Sequence, residues 1–85
     1  MPKSPYSPFM LITFYTKAGC PLCEEAEELL DTARERVSFE VQKVDILRDD
    51  ALFQRYRHRV PVIRIGNTDV LELKFTLDDL MRALQ

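Results

Sequence analysis

Between Phe9 and Arg36 the hydrophobic rhythm of the chain changes once, and the change falls on two cysteines. Phe9 to Tyr15 (FMLITFY) is a short, almost continuously apolar run rich in β-formers. It is too brief for a typical helix and lacks the alternation of a half-wet strand. It therefore predicts a central strand covered on both faces. From Pro21 to about Arg36 the spacing becomes helical, with Leu22, Ala26, Leu29, Leu30 and Ala33 drawing one apolar stripe. Glu24, Glu25, Glu27 and Glu28 sit early in this segment and Arg34 and Arg36 late, as the helix dipole prefers. Pro21 falls in the first turn, where no helical hydrogen bond is lost.

The remaining segments complete an alternating pattern. Phe39 to Ile46 predicts a second strand, whose Glu40, Gln42 and Lys43 suit an edge position. Asp49 or Asp50 is placed to cap a short helix reaching Tyr56, with Leu52, Phe53 and Tyr56 on one side. Val60 to Ile65 and Val70 to Phe75 predict two further strands, joined by Gly66-Asn67-Thr68-Asp69 as an antiparallel hairpin. Thr76 caps a last helix that carries Asp78 and Asp79 in its first turn and turns Leu77, Leu80, Met81 and Leu84 inward. The order is β-α-β-α-β-β-α. Its first strand–helix–strand unit predicts a right-handed parallel crossover, which the hairpin extends.

At 85 residues the chain fits one domain with one modest core. The expected division is a loose tail at residues 1–7, interrupted by Pro2 and Pro5, and a folded domain at 8–85. With 14 acidic and 12 basic residues the net charge is −2, which argues against a nucleic-acid binder. No apolar run approaches the ~18 residues of a membrane span, so no membrane role is expected. The prolines and serines of the first nine residues break any secretory signal, and the expected compartment is the cytoplasm. In a reducing compartment two cysteines point to catalysis or metal binding before a permanent staple.

Gly19-Cys20-Pro21-Leu22-Cys23 spans the junction between the first strand and the first helix. There the Cys20 sulfur lies beside unpaired helix N–H groups that stabilise a thiolate. The three-residue step sets Cys23 one turn on, within disulfide reach. Lys17 is positioned to add a positive charge near Cys20, whereas Glu24 and Glu25 oppose the anion. These parts predict dithiol–disulfide exchange: Cys20, exposed at the helix tip, is the nucleophile, and the more buried Cys23 resolves the mixed disulfide. A structural zinc site wants about four ligands, and the chain offers two cysteines and His58, so no metal site is expected. Two inert, packed cysteines stay open as an alternative.

With the motif and the element order together, the chain resembles the glutaredoxin-like family of the thioredoxin superfamily, in a small and poorly characterised branch. The resemblance runs from Phe9 to Leu84. It rests on Phe14-Tyr15-Thr16-Lys17, the cysteine motif, Val44-Asp45-Ile46 and Val60-Pro61-Val62. It implies a thioredoxin-like three-layer α/β/α sandwich on a four-stranded mixed sheet of order 4-3-1-2, the third strand antiparallel to the rest. It also implies a cis Val60–Pro61 bond next to the cysteines. There the Val60 backbone N–H and C=O would pair with an extended substrate, and Pro61 would shape the groove.

The implied activity is a thiol–disulfide oxidoreductase serving cell redox homeostasis as a monomer. Disulfide-bearing proteins are the implied substrates, with glutathione as co-substrate or a thioredoxin-reductase-type donor, and no bound cofactor is implied. Three departures stand out. Leu22 occupies the usual aromatic position between the cysteines, and Arg59 replaces the usual threonine before Val-Pro. Gly66-Asn67-Thr68-Asp69 takes the place of a glycine pair followed by acids, which argues against tight glutathione binding. Arg57 and Arg59 are the candidate replacements as carboxylate partners. The bland reading of the run Arg55-Tyr56-Arg57-His58-Arg59 is a solvated helix end. Two other roles stay open: a metal or iron–sulfur carrier, and a redox-inactive binding module.

Overall fold

A computed structural model describes residues 10–85 of the chain; the expected tail and Phe9 lie outside the described residues. The elements run β1 (Met10–Thr16), α1 (Pro21–Arg34), β2 (Phe39–Asp45), a 3-10 turn (Ile46–Arg48), α2 (Asp50–Tyr56), β3 (Val62–Ile65), β4 (Thr68–Glu72) and α3 (Leu77–Ala83). The sheet order is β2-β1-β3-β4. β1 and β2 are parallel, whereas β3 is antiparallel to both β1 and β4. This is a thioredoxin-like α/β fold, with β2 at an edge as its mixed composition predicts.

Two apolar clusters lie on the two sides of the sheet. Ile12, Phe14, Phe39 and Ile63 meet Ala26, Leu30 and Ala33 of α1 and Leu80 and Leu84 of the C-terminal end. Tyr15 and Val62, of opposite strand parity, join Ile46, Tyr56, Val60 and both cysteines in the second cluster. The helices are capped as their sequences imply. Asp49 accepts the Leu52 N–H at 3.0 Å, and Thr76 and Asp79 form a reciprocal capping box.

Three expectations are corrected. β1 is covered on both faces only along part of its length: Leu11 is 55% exposed, because α2 has seven residues and does not reach that end of the sheet. β4 begins at Thr68, not Val70, and ends at Glu72. Thr68 and Asp69 pair with Ile65 and Arg64, leaving Gly66-Asn67 as a two-residue turn. Gly66 takes a positive φ of 62° at the first central position, where a two-residue hairpin favours glycine. β3 begins at Val62, not Val60, because the Val60 N–H is spent on the Tyr56 carbonyl at 3.1 Å and Pro61 has none.

Candidate active site

The turn between β1 and α1 sets the cysteines. Gly19 takes φ 72°, a left-handed conformation that costs a glycine nothing and lets the chain double back. Cys20 then stands as the N-cap of α1 with extended backbone, and Pro21 begins the helix. The Cys20 carbonyl accepts the Glu24 N–H at 3.1 Å, closing the first helical turn. The Cys20 Sγ accepts the Cys23 N–H at 3.1 Å, a place usually held by a serine or aspartate oxygen. A sulfur at this point faces the positive end of the helix and one of its otherwise orphaned donors. Cys20 and Cys23 are disulfide-bonded, with Cα atoms 5.2 Å apart.

Cys20 is more enclosed than a helix-tip position suggested. It is 8% exposed, against 3% for Cys23. The reason is packing: Tyr15, Tyr56, Val60 and Val62 form one cluster with the pair. The ranking of the two cysteines is kept, and Cys20 retains the larger solvent-facing edge.

The Val60–Pro61 peptide bond is cis, and Val60 packs in the same cluster as both cysteines. The backbone here is used differently from the expectation. The Val60 N–H donates to Tyr56, which leaves only its carbonyl to meet an added strand. On the far side, the Leu73 N–H donates to the Pro61 carbonyl at 2.9 Å and to the Arg59 carbonyl at 3.2 Å.

Lys17 lines a cleft of about 280 Å³ with Thr16, Gly19, Cys23, Glu27, Lys43 and Asp45; the lining includes Cys23 and not Cys20. Lys43 and Glu27 pair across it at 3.0 Å. Glu25 pairs with Lys74 at 3.4 Å, so two of the carboxylates early in α1 are partly offset. Both pairs are exposed and contribute little to stability.

Arg59 is engaged within the chain. Its guanidinium donates to Asp69 at 3.2 Å and to Glu72 at 2.5 Å, and it lies 5.1 Å from the Tyr56 ring centroid. Its expected role as a carboxylate partner must therefore compete with two resident carboxylates. The other arginines of the basic run lie over aromatic rings, Arg55 on Tyr56 and Arg57 on Phe53, as cation–π neighbours.

Sequence reasoning missed three participants. Tyr15 and Tyr56 stack beneath the cysteine pair with ring centroids 4.4 Å apart. The Tyr56 hydroxyl donates to Asp69 at 3.2 Å and accepts from Arg64 at 3.4 Å. Burial and the Asp69 charge push the Tyr56 pKa up from its usual 10.0. The apolar run that holds Tyr15 and the helical stripe that holds Tyr56 mark both as inward-facing, but their contact joins β1 to α2, which no local pattern encodes. Leu73, with φ 65° and 44% exposed, carries no sequence signal at all.

A cysteine pair capping the first helix of such a sheet, packed with a cis proline segment, defines a protein of the thioredoxin class with a redox-type dithiol motif. Residues 11–85 match the family described as glutaredoxin-like domain (DUF836), and the chain belongs to that family. Among solved structures, target protein XcR50 from X. campestris is 35% identical over 86% of this chain and 93% of its own, with a TM-score of 0.72. Protein Ne2328 from Nitrosomonas europaea has a TM-score of 0.76 at 23% identity, covering 95% of this chain and 96% of its own. A point-mutant thioredoxin from Halobacterium salinarum NRC-1 has a TM-score of 0.62 at 24% identity, covering 87% of this chain and 70% of its own. The last two establish likeness of fold alone. No helix among the described residues is long and apolar enough to cross a membrane.

Proposed function

We propose that the protein is a thiol–disulfide oxidoreductase of protein disulfides, with Cys20 as nucleophile and Cys23 as resolving thiol. The observation that carries this reading is the Cys20 Sγ held at the helix N-cap by the Cys23 N–H, with Cys23 bonded to it. A helix N-terminus lowers a thiol pKa, and the thiolate is the attacking species.

In the first step the Cys20 thiolate attacks one sulfur of a substrate disulfide, that S–S bond breaks, and the first substrate thiolate leaves. Cys23 then loses its proton to solvent and attacks the Cys20 sulfur. The mixed disulfide breaks, the second substrate thiolate leaves, and the Cys20–Cys23 bond remains. The substrate gains two electrons and the protein loses two. A dithiol protein or two glutathione molecules would return the pair to the reduced form, in a reducing compartment such as the cytoplasm.

Val60 and Pro61 form the wall against which an extended substrate would lie, with the Val60 carbonyl as its available backbone group. Lys17, three residues before Cys20 and in the lining of one cleft with Cys23, supplies positive charge near the pair that favours the Cys20 thiolate. The test is turnover of a protein disulfide by the wild type, Cys20→Ser and Cys23→Ser. Loss of turnover in Cys20→Ser, with mixed disulfides accumulating in Cys23→Ser, supports the reading; unchanged turnover in Cys20→Ser removes it.

A further inference from the structure

Arg59 shows what a guanidinium does at the rim of the cysteine cluster. It lies 5.1 Å from the centroid of Tyr56, a ring packed with Cys20, Cys23 and Val60. Its N–H groups are taken by Asp69 and Glu72. Stacking on a ring occupies the face of a guanidinium and leaves the in-plane donors open, so ring and carboxylate are held at once. Two further arginines of the same segment are stacked in this way. Arg55 lies 5.4 Å from the Tyr56 centroid, and Arg57 lies 5.3 Å from that of Phe53, which packs against the same cluster.

These two lack what Arg59 has. Ion pairs among the described residues engage Lys43, Arg59, Arg64, Lys74 and Arg82, and none reaches Arg55 or Arg57. Residues 1–9 contain neither Asp nor Glu, so no carboxylate of that segment completes them. Both arginines are exposed, as is His58 beside them. Asp49 and Asp50 lie at the opposite, N-terminal end of α2. A cation that only offsets the negative end of a helix needs no ring to hold it. A stacked fork is already oriented, and it loses less freedom when a carboxylate arrives.

Resting on the exchange reading above, we infer that Arg55 and Arg57 form a docking surface for an acidic protein partner. Its occupant is a disulfide-bearing protein with Asp or Glu within a few residues of its reactive cysteine. Each guanidinium receives a carboxylate of the partner, as Arg59 receives Asp69 within the chain. The surface acts on encounter: opposite charge raises the rate of association, and Cys20 then performs the attack. This local attraction works against the overall charge of −2, which by itself disfavours an acidic partner.

The test uses the pre-reduced protein in single turnover, at low salt and at about 1 M, where the screening length falls to about 3 Å. The substrates are mixed disulfides of one chromophoric thiol with glutathione and with two peptides. The peptides differ only in carrying paired Glu or paired Gln on both sides of the cysteine. Attack by Cys20 on the peptide sulfur releases the reporter thiolate and leaves a Cys20–peptide disulfide. In the wild type at low salt the Glu peptide reacts about fivefold faster than the Gln peptide, the worth of two exposed ion pairs. At high salt the ratio falls to about one. In Arg55→Gln/Arg57→Gln, whose stems still cover the rings, the low-salt ratio also falls to about one. Arg34→Gln/Arg36→Gln removes the same charge at the far end of α1, about 20 Å from Cys20, and keeps the preference. A wild-type ratio of one or below, or equal loss in both double variants, overturns the inference while leaving exchange intact. So does a loss in Arg55→Gln/Arg57→Gln confined to glutathione, which makes that tripeptide the occupant. A wild-type dimer at low salt that the same variant dissolves, seen by sedimentation, also overturns it and makes a second copy the occupant. Release no faster in the wild type than in Cys20→Ser overturns the exchange reading itself, and the docking surface with it.

Discussion

The Sγ of Cys20 accepts the backbone N–H of Cys23 at 3.1 Å, so the first cysteine caps the helix on which the second one sits. One donor thus serves two purposes. It completes the first turn of α1, and in the reduced protein it supports negative charge on the nucleophile.

Removing each sulfur should therefore have a different result. Cys23→Ser keeps the backbone donor and the Cys20 sulfur, so mixed disulfides with protein partners should persist and be visible by non-reducing electrophoresis. Cys20→Ser keeps an N-cap oxygen, so the fold is retained while turnover falls to background. Thermal melts of the reduced proteins check the second statement, since a serine cap is among the preferred ones.

The Tyr56 hydroxyl is tied to Asp69, and its raised pKa makes the alkaline limb of stability predictable. Folding holds this proton more tightly than the unfolded chain does. The resulting stability is complete below pH 10.0 and is lost as pH climbs from there through the raised folded value. Tyr56→Phe should lose about 1 kcal/mol at neutral pH and flatten that alkaline decline, as denaturant melts across the range would measure.

The capping box of α3 gives the acid counterpart. Hydrogen bonds from the Thr76 backbone and hydroxyl hold the Asp79 carboxyl below its ordinary 3.8. Its contribution is present above pH 3.8 and disappears as pH falls through the lowered folded value. Thr76→Ala should cost about 1 kcal/mol, and Asp79→Asn should remove the box's acid dependence from the melting curve.

The two faces of β1 should respond unequally to substitution. Leu30→Ala, beneath the buried Phe14 and Ile63, should cost about 2–5 kcal/mol. Leu11→Thr, on the face that α2 leaves open, should change stability by no more than about 0.5 kcal/mol. Chemical denaturation of both variants distinguishes one-sided from two-sided burial of the strand.

What was legible in the sequence follows from range. The apolar run of β1, the stripe of α1 and the Thr76 cap are local patterns, and their elements lie close to where those patterns place them. The start of β4 was hidden because Thr68 and Asp69 are polar residues on an edge strand, where pairing needs no apolar side chain. The exposure of Leu11 was hidden because it depends on how far α2 extends across the sheet, a matter of tertiary packing. The site shows the same division. Cys20 and Cys23 announce themselves by spacing, but the commitment of Arg59 to Asp69 and Glu72, and of the Val60 N–H to Tyr56, arises from contacts no linear pattern encodes.

The most direct test is the ionisation of Cys20 in reduced Cys23→Ser protein, followed by ultraviolet thiolate absorbance or by the pH dependence of alkylation. The helix N-cap geometry predicts a single titration below the ordinary thiol value of about 8.5. A Cys20 titration at or above that value would contradict the account, because the sulfur would then cap the helix without being activated by it.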